Sequence, residues 1–199
     1  MKIQPVADDG KPRCGWAATH PLNAEYHDAE WGVPQHDDRM LFEMLNLEGA
    51  QAGLSWLTVL QKRGNYRKAF DNFDPRKIVR YGDAKIAALM ADAGIIRNRL
   101  KIHGVVANAR IYLELLDAGR SFDSYVWQFT DGRPLVNHWK QMGEVPATSK
   151  QSDEMSKALR KRGFKFVGST ICYAFMQAVG MVDDHTSNCW RRSKSNPDR

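Results

Sequence analysis

Glu48 stands where a leucine would be expected. Leu41, Met44 and Leu45 recur at helical spacing and mark a buried face, and three residues further along that stripe lies a carboxylate. Burying an unpaired charge is costly unless partners or a pKa shift relieve it. Glu48 therefore either meets a structural partner, such as a neighbouring helix end, or serves a ligand. A second set is made of soft metal ligands. His185 and Cys189 lie four residues apart, close enough to share one ion, and Cys14 and His27 offer another pair near the other end of the chain. Together they make a Cys2His2 set of the kind zinc takes tetrahedrally. The alternative is a buried Cys14 with histidines on the surface. A third set is aromatic: Trp16, Tyr26, Trp31 and Trp56 flank Glu48 in sequence. They suit either an ordinary core or a pocket for a flat, cationic or hydrogen-bonding ring. The fourth is the run from Lys157 to Thr170, with Arg160, Lys161, Arg162, Gly163, Lys165 and Gly168 inside it. Free backbone N–H groups at Gly168, Ser169 and Thr170, beside basic side chains, could grip a phosphate. A solvated basic helix end followed by a routine loop reads equally well.

The elements that must position these residues read as helices. Asp37 or Asp38 is a good N-cap for the helix carrying Glu48, which is expected to break near Gly53. Ser55 caps a helix from Trp56 to about Phe70, with Leu57, Leu60 and Tyr66 inward. Asp74 followed by Pro75 is a clear helix start, and Asp83 begins another that Gly94 ends. A longer helix runs from about Ile96 to Ala118, closed by Gly119. Ser121 opens a short one, Thr130 to Pro146 looks irregular, Ser152 caps a helix to Arg162, and Ser169 caps a last one to about Val179. The β-branched and aromatic runs are too short and scattered for a sheet, so the expected class is all-α. Residues 1–12 and 193–199 are expected to be flexible, around a single helical domain over 13–192.

Composition bounds the rest. The chain has 199 residues, 43% of them hydrophobic, enough for one domain with a substantial core. No apolar run is long enough for a membrane span, and the first residues lack the apolar stretch of a signal peptide, so a cytoplasmic protein is expected. A net charge of +6 suits nucleic acid, though it also suits anionic membranes. Three widely spaced cysteines argue against a disulfide scaffold, and Cys172, inside an apolar helix, reads as core. His20, His36, His103 and His138 show no partner pattern and read as surface residues.

Several motifs are longer and more specific. Arg13-Cys-Gly-Trp16, Tyr26-His-Asp28, Glu30-Trp-Gly-Val-Pro34, Leu47-Glu-Gly49, Gln51-Ala-Gly-Leu-Ser-Trp56, Lys161-Arg-Gly-Phe-Lys-Phe-Val-Gly168 and Asp184-His185 through Cys189 resemble the 3-methyladenine DNA glycosylase I (Tag) family, in unbroken order. The resemblance implies a helical fold of the helix-hairpin-helix superfamily with one structural zinc joining the N- and C-terminal segments. It implies ligands Cys14, His27, His185 and Cys189. It implies excision of 3-methyladenine, with 3-methylguanine open, from alkylated double-stranded DNA; no lysine is placed as a convincing Schiff-base nucleophile, so a monofunctional enzyme that does not cut the strand is expected. Glu48 falls on the catalytic and base-reading position, with Tyr26 and Trp56 beside it and Trp16 and Trp31 as walls. Gly53 and Leu54 fall on the segment that enters the gap left by the flipped base, with Gln51 as a further DNA contact, and Lys165, Gly168, Ser169 and Thr170 on the backbone grip. Asp183 and Asp184 stand where related superfamily enzymes keep a catalytic aspartate; a structural role is expected for both here. A monomer is the default for an enzyme that scans DNA, and free 3-methyladenine is the expected product. Two rivals are a zinc-stapled protein that binds damaged DNA without turnover, and a small-molecule binder with an aromatic pocket. Free-base release excludes the first, and steeply salt-dependent DNA binding excludes the second.

Overall fold

The computed structural model describes residues 9–192. Of the ends expected to be loose, 1–8 and 193–199 lie outside the described residues. Within 9–12, Asp9 pairs with Arg13 at 2.7 Å and the Pro12 carbonyl accepts from the Trp190 amide.

Helix α2, Asp38–Gln51, is the axle of the fold. Asp37 caps it by accepting from the Met40 amide at 2.9 Å, and every side from Leu41 to Ala50 is buried. A helix buried all round needs neighbours on each face. These are α3 (Trp56–Ala69), α6 (Arg99–Asp117), α7 (Phe122–Trp127) and α9 (Ser169–Ala178). The remaining elements are α1 (Pro21–Ala29), the short α4 (Pro75–Ile78), α5 (Asp83–Ala91) and α8 (Lys150–Arg162). Asp74 caps α4 ahead of Pro75, and Ser55 and Ser121 cap α3 and α7, as their positions suggest.

Some boundaries shift for local reasons. Helix α6 starts at Arg99 rather than Ile96 because the Asn98 carboxamide takes the Lys101 amide. Ser149, not Ser152, caps α8; Ser152 is the return half of a reciprocal capping box. Gly168 precedes α9, so Ser169 is inside its first turn. Helix α1 has no strong apolar stripe and was not expected; the His20 ring accepts from the Leu22 amide and Pro21 opens it. His20 is thus a cap rather than a free surface group, and His36 likewise pairs with Asp123 at 2.7 Å. Among the described residues the all-α expectation needs one correction. Leu135–Val136 (β1) pairs in parallel with Val182–Asp183 (β2), a two-residue bridge that ties the irregular stretch after α7 to the segment after α9.

Helices α8 and α9 pack closely against each other across a tight turn. Gly163 ends α8 at φ +98° and Phe166 sits at φ +56°. Asn108 of α6 holds this turn at both polar faces: it accepts from the Lys165 amide at 2.7 Å and donates to the Lys165 carbonyl and to Asn46. Phe166 packs against α2 and α6 at two glycines. A Cβ at Gly49 would lie 3.0 Å from Phe166 Cβ, and one at Gly104 would lie 2.9 Å from its ring.

Candidate base pocket and metal centre

Helix α2 buries three polar side chains, and two are answered. Glu43 receives Arg63 Nε at 2.8 Å and Arg67, while Asn46 donates to the Phe42 carbonyl and accepts from Asn108. Glu48 is different. It is as buried as Glu43, yet its Oε2 has no hydrogen-bond partner. Burial pushes the Glu48 carboxyl up to about 8.

Glu48 lines a cavity of about 450 Å³. Its walls include Trp16, Tyr26, Trp31 and Trp56, the four aromatics singled out in the sequence, with Asn23, Gln51, Ser55, Met142 and Gln177 among the other lining residues. Tyr26 and Trp56 are neighbours at 5.2 Å between ring centres, tilted by 46°, and Trp16 meets Trp31 edge-on at 5.2 Å. Besides Glu48 Oε2, three further buried polar atoms in this cavity lack partners: Tyr26 Oη, Trp56 Nε1 and Asn23 Oδ1. Buried donors and acceptors in folded proteins are nearly always paired, so such a cluster points to a ligand that would pair them. Burial, and then the neighbouring Glu48 carboxyl, hold the Tyr26 phenol well above its usual range, so Tyr26 keeps its proton as a donor.

Met142 and Gln177 went unnoticed as cavity residues; Asn23 stands at a wall position where the family resemblance leads one to look for another aromatic. Asn23 is buried on the inner side of α1. Its amide is held by Thr19 Oγ1 at 3.0 Å, which aims the carbonyl oxygen elsewhere.

Cys14, His27, His185 and Cys189 come together although they are up to 175 residues apart in the chain, and all four are buried. Their ligand atoms lie within 4.8 Å of one another. Cys14 Sγ to His185 Nδ1 is 3.6 Å, Cys189 Sγ to His27 Nε2 is 3.3 Å, and Cys189 Sγ to His185 Nδ1 is 3.5 Å. A tetrahedral zinc with ordinary Zn–S and Zn–N lengths needs edges of about 3.3–3.8 Å, and these three contacts fall in that range. Each sulfur shifts the other: the Cys189 neighbour helps hold the Cys14 thiol above its usual range, and Cys14, then the two histidines, hold Cys189 below. Two thiols and two imidazoles in contact are the kind of site a dication enters by displacing protons. Asp28 accepts from His27 Nδ1 at 2.8 Å, leaving Nε2 to face the cluster, and Asp28 is itself held by Arg13 and Trp190. Gly32 leaves room for the His185 ring; a Cβ there would lie 2.8 Å from Nε2.

Asp184 is fully buried and accepts four hydrogen bonds, from Asn137, Trp139, Tyr173 and Gln177 at 2.6–2.8 Å. Asp183 accepts from the His185 amide at 3.1 Å. The residues that the family resemblance puts on the DNA side lie apart from these. Leu54 is exposed, Gly53 sits in the turn beside it at φ +79°, and Gln51 bridges turn and cavity. Lys165 and Thr170 are exposed, and Gly168 and Ser169 are half-buried. The Ser169 hydroxyl is taken by Ser152 and Asp153, which leaves the backbone amides, not that side chain, for an outside partner.

A family model for methyladenine glycosylases matches residues 16–192. The chain belongs to the methyladenine glycosylase family. DNA-3-methyladenine glycosylase 1 of Escherichia coli (strain K12) is 52% identical over 177 residues, which are 89% of this chain and 95% of that one. A crystal structure of a 3-methyladenine DNA glycosylase I superposes with a TM-score of 0.89 at 49% identity, covering 91% of this chain and all of the other. The 3-methyladenine DNA glycosylase I of Staphylococcus aureus, solved for the structural basis of 3-methyladenine recognition, gives 0.88 at 33% identity over 92% of this chain and 98% of its own. Among the described residues, no helix of this methyladenine glycosylase relative is long and apolar enough to cross a membrane.

Proposed function

We propose that this chain is a monofunctional DNA-3-methyladenine glycosylase of base-excision repair. The carrying observation is the aromatic cavity in which Glu48, Tyr26, Trp56 and Asn23 each keep a buried polar atom without a partner. Relatives at about half identity carry that name.

Methylation at N3 makes the adenine of a nucleotide cationic and weakens its glycosidic bond. The base is then a good leaving group, and strong acid catalysis is unnecessary. The protein has to find the base, extrude it from the helix and favour the departing neutral form. Flipping costs a few kcal/mol, less for a damaged base. Leu54, apolar and exposed at a tight turn on the cavity rim, fills the vacated space. Inside, Glu48 Oε2 accepts from the exocyclic amine, which a purine keeps when its N3 is methylated. Tyr26 Oη donates to a ring nitrogen, and the Trp56 ring stacks on the base. An ionised Glu48 is costly in the empty cavity; a cationic base relieves that cost, so charge as well as shape selects the methylated purine. Water attacks the sugar. Among the described residues lining the cavity there is no lysine, which argues against a Schiff-base nucleophile and hence against strand cleavage.

The basic turn between α8 and α9 serves as a helix-hairpin-helix grip on the DNA backbone. Its first-turn amides at Gly168, Ser169 and Thr170 face a phosphate, with Lys165 alongside. Cys14, His27, His185 and Cys189 hold one zinc ion. Four protein ligands close the shell, so the ion supplies a cross-link between the chain's two ends rather than a reacting water.

The test is to incubate the protein with methylated duplex DNA and to identify released bases by chromatography. Release of 3-methyladenine, alone or nearly so, is the expected outcome. Abundant 7-methylguanine would contradict the tight pocket around Glu48, and no release from folded, zinc-loaded protein would reduce the chain to a damage-binding protein.

A further inference from the structure

Lys101 belongs to none of the motifs above, yet it touches the segment that presents Leu54. From the first turn of α6 its Nζ donates to the Ala50 carbonyl at 2.8 Å and to the Ala52 carbonyl at 2.7 Å. Those carbonyls are at the C-terminal end of α2, where helix carbonyls lack partners and where a cation is favoured by the dipole. The Ala52 bond has a second consequence. Residues 51–54 form a type II turn: Ala52 is at φ −43°, ψ 115°, Gly53 is at φ +79°, and the Leu54 amide donates to the Gln51 carbonyl at 2.6 Å. Type I and type II turns differ by a flip of the central peptide, whose carbonyl here is that of Ala52. An ammonium bonded to that carbonyl favours the type II form. A side chain at Gly53 would meet nothing within 4 Å, so backbone conformation, not space, is what calls for glycine there.

We propose that Lys101 is a positioning residue that locks the Gln51–Leu54 turn in its type II form, so that Leu54 is presented ready-made to the DNA stack. The proposal rests on the glycosylase reading and on Leu54 as the inserted side chain. Lys101 touches neither the base cavity nor Leu54 itself; it acts through two backbone oxygens. Its effect therefore belongs to extrusion from a duplex and not to recognition of the free base.

The experiment compares Lys101→Met, Leu54→Ala and the double variant with the unaltered protein. Three quantities are read: affinity for free 3-methyladenine by quenching of tryptophan fluorescence, single-turnover release from methylated duplex, and release from methylated single strands. Lys101→Met is expected to bind the free base like the parent, to lose about ten- to a hundredfold in duplex rate, and to lose much less on single strands. The double variant is expected to be no slower than Leu54→Ala, because both changes remove one device. Gly53→Ala, which strains the same turn, is expected to give the same pattern. An unchanged duplex rate in Lys101→Met overturns the proposal. So does a loss that multiplies with that of Leu54→Ala together with a shallower salt dependence, which would make Lys101 a phosphate contact. So does loss of free-base binding, which would make its role merely structural. If Leu54→Ala keeps the full duplex rate while the parent releases base, the inserted-leucine reading fails on its own and takes this proposal with it. Absence of release from the parent is the separate failure of the glycosylase reading.

Discussion

Two buried carboxylates, Glu48 and Asp184, are opposites in chemistry. Asp184 has four donors around it, as many as a carboxylate can seat, and none is a charged group. It has no lone pair left for a water. Asp184→Asn puts an amide against those donors and is expected to cost about 2–4 kcal/mol in urea unfolding, while folded protein at saturating concentration keeps its single-turnover rate within a few-fold. A collapse of that rate in folded protein would make Asp184 catalytic. Glu48 has an unpaired oxygen and a carboxyl raised to about 8 by burial. The folded protein then holds a proton that the unfolded chain releases above its ordinary carboxylate range. Stability from this group is intact at about pH 4.5, declines as pH rises to about 8, and is constant beyond. The limiting slope for one such group is about 1.4 kcal/mol per pH unit. Glu48→Gln should remove that decline and also depress 3-methyladenine release. Urea unfolding at pH 5 and pH 7.5 checks it: equal pH dependence in parent and variant would mean that Glu48 is not held neutral.

At the scale of elements, the α8–α9 turn is shaped by a ring rather than by its own hydrogen bonds alone. Phe166 adopts φ +56°, a conformation side chains resist, because Gly49 of α2 and Gly104 of α6 leave its ring a seat and Asn108 holds the adjacent Lys165 backbone. Gly104→Ala improves local helix propensity by about 1 kcal/mol. It also places a methyl 2.9 Å from the ring, and such overpacking costs about 1–3 kcal/mol. Net destabilisation is expected, together with weaker binding to undamaged duplex, since the amides of Gly168 to Thr170 shift with the ring. Chemical denaturation and a salt-controlled binding titration measure the two; improved stability with unchanged DNA binding would show the turn to be indifferent to Phe166.

At the scale of the molecule, the Cys2His2 cluster and the aromatic cavity share a wall. Trp31 lines the cavity, stacks on His27 at 5.9 Å and meets His185 edge-on at 4.7 Å, and Trp16 lies edge-on to His27 at 5.6 Å. A metal ion held by Cys14, His27, His185 and Cys189, as proposed, would therefore also brace one side of the pocket. Elemental analysis of the purified protein is expected to give about one zinc per chain, in line with a four-ligand closed site. Removing it with a chelator is expected to lower Tm by about 10 °C or more and to weaken binding of free 3-methyladenine. Unchanged Tm after complete removal would contradict the cross-link, and unchanged base binding would separate the two sites.

The sequence by itself determined most of the local structure and the candidate chemistry. Asp37, Ser55, Asp74 and Ser121 marked helix starts because a cap is a contact between near neighbours. Glu48 stood out because one charged residue broke an apolar stripe, and the Cys2His2 set because soft ligands are scarce. What contacts decide was beyond reach. Helix α1 lacks a stripe since its partners are a cavity and the Cys2His2 cluster, so the helix itself was not visible in the sequence. The β1–β2 bridge pairs residues far apart in the chain. Whether Glu48 is answered like Glu43 or left open depends on where Arg63 and Arg67 of α3 point, and no spacing within α2 carries that information. Lys101 was likewise invisible, because a lysine in a first helical turn is ordinary until the carbonyls it reaches are known. Local pattern reports what a segment can bury; only packing decides which buried groups find partners and which are left for a ligand.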